Sequence, residues 1–181
     1  MTVRDDYVRE QIMQAGGTTL RVAIRPGTGT GPPLLLCNGI GMRLEAFQPF
    51  VDALDPAIEV IRFDAPGTGG SQLPNRPYRF TTLALLLREM LQNLGRQQAD
   101  VLGISWGGAL AQQFALLNPR RCRRLILVAT STGLSQFRPG PTVKLSCMLT
   151  GPSGSVAAPV SWSWICCLNA MDWLEVLVRI V

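Results

Sequence analysis

Residues 100–119 read DVLGISWGGALAQQFALLNP. The first part is a short apolar run of strand length. The second carries Leu110, Phe114 and Leu117 at helical spacing and stops at Pro119, which cannot continue a helix. Between them Gly103, Ser105 and Gly107 fall at the spacing G-x-S-x-G. A strand that turns abruptly into a helix with serine at the tip is the nucleophile elbow of serine hydrolases. Small residues two positions either side of the serine let the helix cross the strand closely. The alternative is a plain structural turn, since a bare G-x-S-x-G arises by chance; the strand before and the helix after favour the elbow. The start of the helix aims free N–H groups and a positive dipole end at the serine, which makes the N–H of Trp106 the first candidate oxyanion donor. Such a serine needs a base to take its proton, commonly histidine. The chain contains no histidine.

Upstream, strand and helix patterns alternate. TLRVAIR (19–25) alternates like a strand with one solvated face, and LLLCNG (34–39) reads as a strand buried on both faces. Leu44, Phe47, Val51 and Leu54 follow helical spacing, with the regular helix expected near Pro49. IEVIRFD (58–64) reads as a second buried strand, and Leu83, Leu86, Leu87, Met90, Leu91 and Leu94 form one apolar helical stripe. Thr81 or Thr82 is the expected cap of that helix, and Gly95 suits the left-handed residue after its end. Downstream, RLILVAT (124–130) reads as another buried strand. Buried strands alternating with helices predict an α/β fold, a mostly parallel sheet with helices on both faces. Active sites of such sheets lie at the carboxyl ends of the strands, where loops 38–42, 64–71 and 103–108 are expected to meet.

Two of those loops carry further candidates. In NGIGMR (38–43), Asn38 and Gly39 open a turn whose glycines leave the backbone free to point inward, so Ile40 N–H is the candidate second oxyanion donor. An ordinary tight turn is the alternative. DAPGTGGS (64–71) has glycines that suggest a phosphate cradle, but the Rossmann spacing would need glycine where Gln72 stands, and no Walker lysine follows. Asp64 precedes the serine, whereas the acid of these hydrolases follows it, so Asp64 is expected to pin the loop.

Composition bounds the rest. Net charge is +5, from 16 arginines and one lysine against 12 acidic residues. That balance could favour an anionic partner. The arginines are scattered, however, and the densest group, Arg120, Arg121, Arg123 and Arg124, has no interleaved aromatics, so no nucleic-acid partner is expected. The five cysteines show no C-x-x-C spacing, and the charged start MTVRDDYVRE is not a secretory signal. Reduced thiols and a cytoplasmic chain are expected, with no metal site and no cofactor. After about residue 140 the character changes. No charged residue occurs from Leu145 to Met171, and three of the four tryptophans gather there and just beyond. Residues 141–181 are expected to be an atypical apolar tail beyond a hydrolase-like part at 1–140. The tail is too broken by Pro and Ser for a transmembrane helix.

Taken together, NGIG, FDAPGTGGS, PYRF and GISWGGALAQQFA resemble the α/β-hydrolase superfamily, and within it the intracellular poly(3-hydroxyalkanoate) depolymerases. Most of the superfamily carries His-Gly where this chain has Asn38-Gly39, and the Asn form points to the depolymerase branch. The resemblance covers roughly residues 8 to 135. It implies cleavage of ester bonds in a stored polyester at the surface of cytoplasmic granules, without a cofactor. Ser105 then matches the nucleophile, and Ile40 and Trp106 the oxyanion positions. Family members continue with a helical cap and further strands that bear the triad Asp and His. None of this is recognisable after residue 140, so the C-terminal part of the fold is expected to be missing. A general carboxylesterase and a catalytically dead or truncated fragment are the alternatives. Self-association through uncovered apolar surface is also expected.

Overall fold

The computed structural model describes residues 8–75 and 77–130, so the expected tail at 141–181 lies outside the described residues. The strand-forming segments join in one sheet of six described strands, in the order β1-β2-β4-β3-β5-β6. β3 (Leu34–Cys37), β4 (Val60–Phe63), β5 (Ala99–Ile104) and β6 (Cys122–Val128) are parallel. β1 (Arg9–Ala15) and β2 (Thr18–Arg25) form an antiparallel hairpin, and β2 pairs antiparallel with β4. The sheet is therefore mostly parallel, with one antiparallel flank.

β1 has no counterpart among the strands expected from sequence. Its sequence, REQIMQA, shows little apolar alternation, because most of the strand is exposed. The signal that does exist is its turn. Gly16 and Gly17 have φ of 60° and 72°, the left-handed pair that a two-residue hairpin loop requires.

Helices cover both faces. α2 (Phe80–Asn93) and α3 (Trp106–Leu117) pack on the face that carries Leu35, Cys37, Ile61, Phe63 and Val101. A 3-10 turn (Leu44–Phe47) leads into the short helix α1 (Gln48–Ala53), and both cover the other face over Leu34, Leu36, Val60, Leu102 and Ile104. The continuous apolar runs in β3, β4 and β5 follow from burial on both faces, since successive side chains point to opposite sides. Complete burial of each such Leu, Ile or Phe contributes about 1.5–3 kcal/mol.

Two expectations need correction. The cap of α2 is neither Thr81 nor Thr82. The helix starts further upstream, at Phe80, with extended Arg79 as N-cap and no side-chain cap bond. Arg79 C=O accepts the first helical bond from Leu83 N–H at 3.1 Å, and the Phe80 ring stacks on Trp106 at 5.2 Å, which draws the helix start toward α3. Its far end matches expectation: Gly95 has φ 70°, and Arg96 N–H donates back to Leu91 C=O at 2.8 Å. The second correction concerns β6, which is not buried. Leu125 and Leu127 are exposed, while Ile126 and Val128 on the other face join the core beneath α1. Among the described residues β6 pairs only with β5 and is the edge of the sheet. No helix among the described residues is long and apolar enough to cross a membrane.

Candidate active site

β5 runs directly into α3, and Ser105 is the single residue between them. Its backbone sits at φ 52°, ψ −117°, a sparsely populated region that costs about 1–3 kcal/mol for a residue with a side chain. Backbone bonds hold it there. Ser105 N–H donates to Val128 C=O at 3.0 Å, and Ser105 C=O accepts from Gly108 N–H at 3.0 Å and from Thr130 Oγ1 at 2.8 Å. The residue as a whole is exposed at the carboxyl edge of the sheet. Among the described residues nothing accepts a bond from its hydroxyl, and the chain offers no imidazole.

The neighbouring glycines are required by contact. A methyl group at Gly103 would overlap the carbonyl of Gly107, and one at Gly108 would overlap the side chain of Thr130. A methyl at Gly107 would overlap the carbonyls of Cys37 and Asn38. That last contact places the end of β3 against the first turn of α3, so loops 38–42 and 103–108 do meet.

The loop after β3 is tied at its base. Asn38 is buried, and its Nδ2 donates to Arg43 C=O at 2.9 Å. Met42 N–H donates to Gly39 C=O at 3.2 Å, and Gly41 takes φ 70° to complete the turn. Ile40 stands at the tip with its side chain 75 % exposed. Trp106, as the first residue of α3, has an N–H with no acceptor inside the helix.

Asp64 organises the third loop and grips the first. It is fully buried. Oδ1 accepts from Leu44 N–H at 2.7 Å, and Oδ2 accepts from Gly70 N–H at 2.8 Å and from Arg21 at 3.4 Å. Gly69 lies so close that a methyl there would overlap the carboxylate. Ser71 Oγ donates to Asp64 C=O at 2.7 Å and accepts Arg21 N–H at 2.9 Å. The Arg21 guanidinium also binds Glu10 and Glu45, and those bonds hold its pKa above the ordinary range. Glu45 in turn is held below the usual carboxylate range, chiefly by its bond to Arg21.

Sequence reasoning missed Arg62. It is buried in β4, and its Nη1 donates to Leu44 C=O at 3.4 Å and to Gln48 Oε1 at 2.7 Å. Its Nε has no partner in the structure, and burial lowers its pKa. The Leu44 backbone is thus held by Asp64 at its N–H and by Arg62 at its carbonyl. An arginine inside the apolar run VIRFD was the available signal.

A separate open cleft of about 460 Å³ lies at the opposite, amino edge of the sheet, lined by Gly29, Pro33, Glu59, Gly95 and Arg96. It does not include Ser105 or its neighbours.

Residues 32–145 match the model of a protein family described as alpha/beta hydrolase fold. The chain is 55% identical over 115 residues to a poly(3-hydroxyalkanoate) depolymerase of Ectopseudomonas oleovorans, covering 64% of this chain and 41% of that protein. It is 36% identical over 104 residues to a pimeloyl-[acyl-carrier protein] methyl ester esterase of Pseudoalteromonas atlantica, covering 57% of this chain and 39% of the other. Among solved structures, a hydrolase from Pseudomonas aeruginosa superposes with a TM-score of 0.65 at 30% identity, over 81% of this chain and 52% of that one. Epoxide hydrolase A from Mycobacterium thermoresistibile superposes with a TM-score of 0.61 at 27% identity, over 66% and 38%. The chain spans about two fifths of the length of the curated relatives it matches.

Proposed function

Because the chain belongs to the alpha/beta hydrolase fold family, we propose that it is a serine ester hydrolase by descent, of the polyester-depolymerase kind, with Ser105 as its nucleophile. The observation that carries this reading is the backbone of Ser105 at φ 52°, ψ −117° between β5 and α3. Nothing in a plain turn calls for a strained serine there, whereas a nucleophile must stand clear of the strand and at the head of the helix. The N–H groups of Ile40 and Trp106 are the oxyanion donors, supported by the contact of Gly107 with the end of β3. Gly103, Gly107, Asn38, Gly39 and Asp64 shape and hold the two loops. Residues 1–140 are the part of the hydrolase domain that bears the nucleophile.

In that chemistry Ser105 Oγ attacks the ester carbonyl carbon while its proton passes to a base. The alcohol leaves with a proton, and water then hydrolyses the acyl-enzyme. The substrate class is an acyl ester, with a stored polyester at a granule surface as the specific reading from the depolymerase relative. Both proton transfers need a group that takes the serine proton and then gives one to the leaving alcohol near neutral pH, and the 181 residues hold no histidine. Loss of a triad member leaves a hydrolase several powers of ten slower. The chain therefore presents a nucleophile without the base that activates it, and a non-catalytic member of the family is the second reading.

A chromogenic short-acyl ester assay separates the two. Turnover near background, unchanged in Ser105→Ala, is expected of the chain alone. Added imidazole is expected to raise turnover in the wild type and not in Ser105→Ala. Substantial turnover without imidazole that Ser105→Ala abolishes, at unchanged folding, would contradict the inactive state. Imidazole acceleration that ignores Ser105 would remove the serine from the reading altogether.

A further inference from the structure

Among the described residues the buried polar side chains are those of Asn38, Arg62, Asp64, Ser71 and Asn118. Asn118 serves the end of α3, where its Nδ2 donates to Phe114 C=O at 3.1 Å. The other four converge on one stretch of backbone, residues 43–44. Asn38 Nδ2 donates to Arg43 C=O at 2.9 Å, Asp64 Oδ1 accepts Leu44 N–H at 2.7 Å, and Arg62 Nη1 donates to Leu44 C=O at 3.4 Å. Ser71 Oγ donates to Asp64 C=O at 2.7 Å and so steadies the acid. The peptide groups on both sides of the Leu44 Cα are thus held by side chains withdrawn from water. Burying polar groups costs free energy unless each finds a partner, so their concentration here marks a place whose geometry is kept.

Arg62 is the costliest of the four to an apolar layer. It shares a face of β4 with Val60, under the 3-10 turn and α1, and its register partner on β2 is Ala23. Leu34, Leu36, Val60 and Leu102 on that face are apolar, and among the described residues no carboxylate forms an ion pair with Arg62. An apolar side chain of similar volume would suit the layer better. What the guanidinium adds is reach to two acceptors, Leu44 C=O and, at 2.7 Å, Gln48 Oε1. Leu44 lies on the return limb of the loop that leaves β3 at Asn38. Between the limbs stands the tip, closed by Met42 N–H on Gly39 C=O, and the tip carries Ile40.

We infer that Arg62 is a positioning residue for the Ile40 N–H: by fixing the return limb at Leu44 and Gln48, it sets the aim of that N–H toward an oxygen held at Ser105. The inference rests on the reading of Ile40 as an oxyanion donor and names what keeps the donor in place. Arg62 acts through Leu44 and Gln48 alone.

Butylboronic acid tests it on the full-length chain. Ser105 Oγ adds to boron and its proton goes to the buffer, so the tetrahedral adduct forms at mildly alkaline pH without a histidine. A boron-bound oxygen then stands where the ester oxyanion would. Boron and amide NMR follow the adduct and the Ile40 N–H. The wild type is expected to form the adduct with a shift of the Ile40 amide, and Ser105→Ala to form none. Arg62→Met should weaken the adduct about ten-fold and shrink the Ile40 shift, since a loosened donor costs less than a deleted one. Arg62→Lys, which reaches one acceptor instead of two, should recover part of the loss. Arg25→Met is the control. Arg25 rises on the same face but donates to the carbonyls of Val51, Leu54, Asp55 and Ile58, so its loss should lower the melting temperature and leave adduct affinity unchanged. No adduct in the wild type, or one that persists in Ser105→Ala, removes the nucleophile reading and this inference with it. An adduct that Ser105→Ala abolishes and Arg62→Met leaves equally tight overturns the positioning role alone. So does equal weakening by Arg25→Met, which would make the effect one of general stability. Where Arg62→Met fails to fold, Gln48→Met removes the nearer acceptor and should weaken the adduct about three-fold; unchanged affinity there overturns the inference.

Discussion

At Gly107 and Gly17 the same substitution has two different costs. Gly17 has φ 72° and open space around it, so alanine there meets backbone strain alone. Gly107 has an ordinary φ, but a methyl meets the carbonyls of Cys37 and Asn38. Gly17→Ala is expected to cost about 1 kcal/mol and Gly107→Ala about 3 kcal/mol, read as a lower urea midpoint at unchanged m-value. Equal losses would mean that the helix-to-strand contact is looser than described. Glu45 gives a pH prediction. Its folded pKa is depressed by Arg21, so its stabilisation is present above the ordinary glutamate pKa and is lost as pH falls through the lower folded value. Glu45→Gln should therefore flatten the fall in melting temperature on acidification below the ordinary glutamate range, and leave alkaline melting unchanged. The effect is small, because the side chain is half exposed. At this scale the sequence was legible where a residue's reason is local. Ser105 could be placed because its strand and helix adjoin it. Arg62 could not, because its acceptor at Leu44 is 18 positions away in the chain.

Among the elements, β3, β4 and β5 were readable because burial on both faces writes a continuous apolar run into the sequence. β1 was not, because an exposed flank strand needs no such run, and only its Gly16-Gly17 turn marks it. An apolar run reads the same whether or not a neighbour covers it, and whether a neighbour exists is a property of the sheet. The two faces of β6 make a direct test. Ile126→Lys places a charge in the core beneath α1 and should lower stability by at least about 2 kcal/mol. Leu127→Lys, on the exposed face, should change it by less than about 0.5 kcal/mol. Chemical denaturation of both variants checks this, and a reversal of the order would mean that the register of β6 on β5 is shifted by one residue.

For the whole molecule, the parallel order of the sheet and the gathering of loops at its carboxyl edge followed from the alternation of patterns. The antiparallel flank did not. The loop after β3, the Ser105 turn and the Asp64 loop lie together because three consecutive parallel strands end at one edge, which is why three separate motifs could be read as neighbours. Apolar side chains on the outer face of β6 should promote self-association. Leu125→Lys with Leu127→Lys should shift the chain toward smaller species in size-exclusion chromatography with light scattering, and an unchanged profile would place the contact elsewhere. The bonds around Ser105 also set a timetable. Its strained backbone is held by Val128 and Thr130, which the ribosome adds only after the serine and the whole of α3. A nascent chain halted before residue 128 would therefore carry the motif without two of the bonds that hold the serine in its strained conformation.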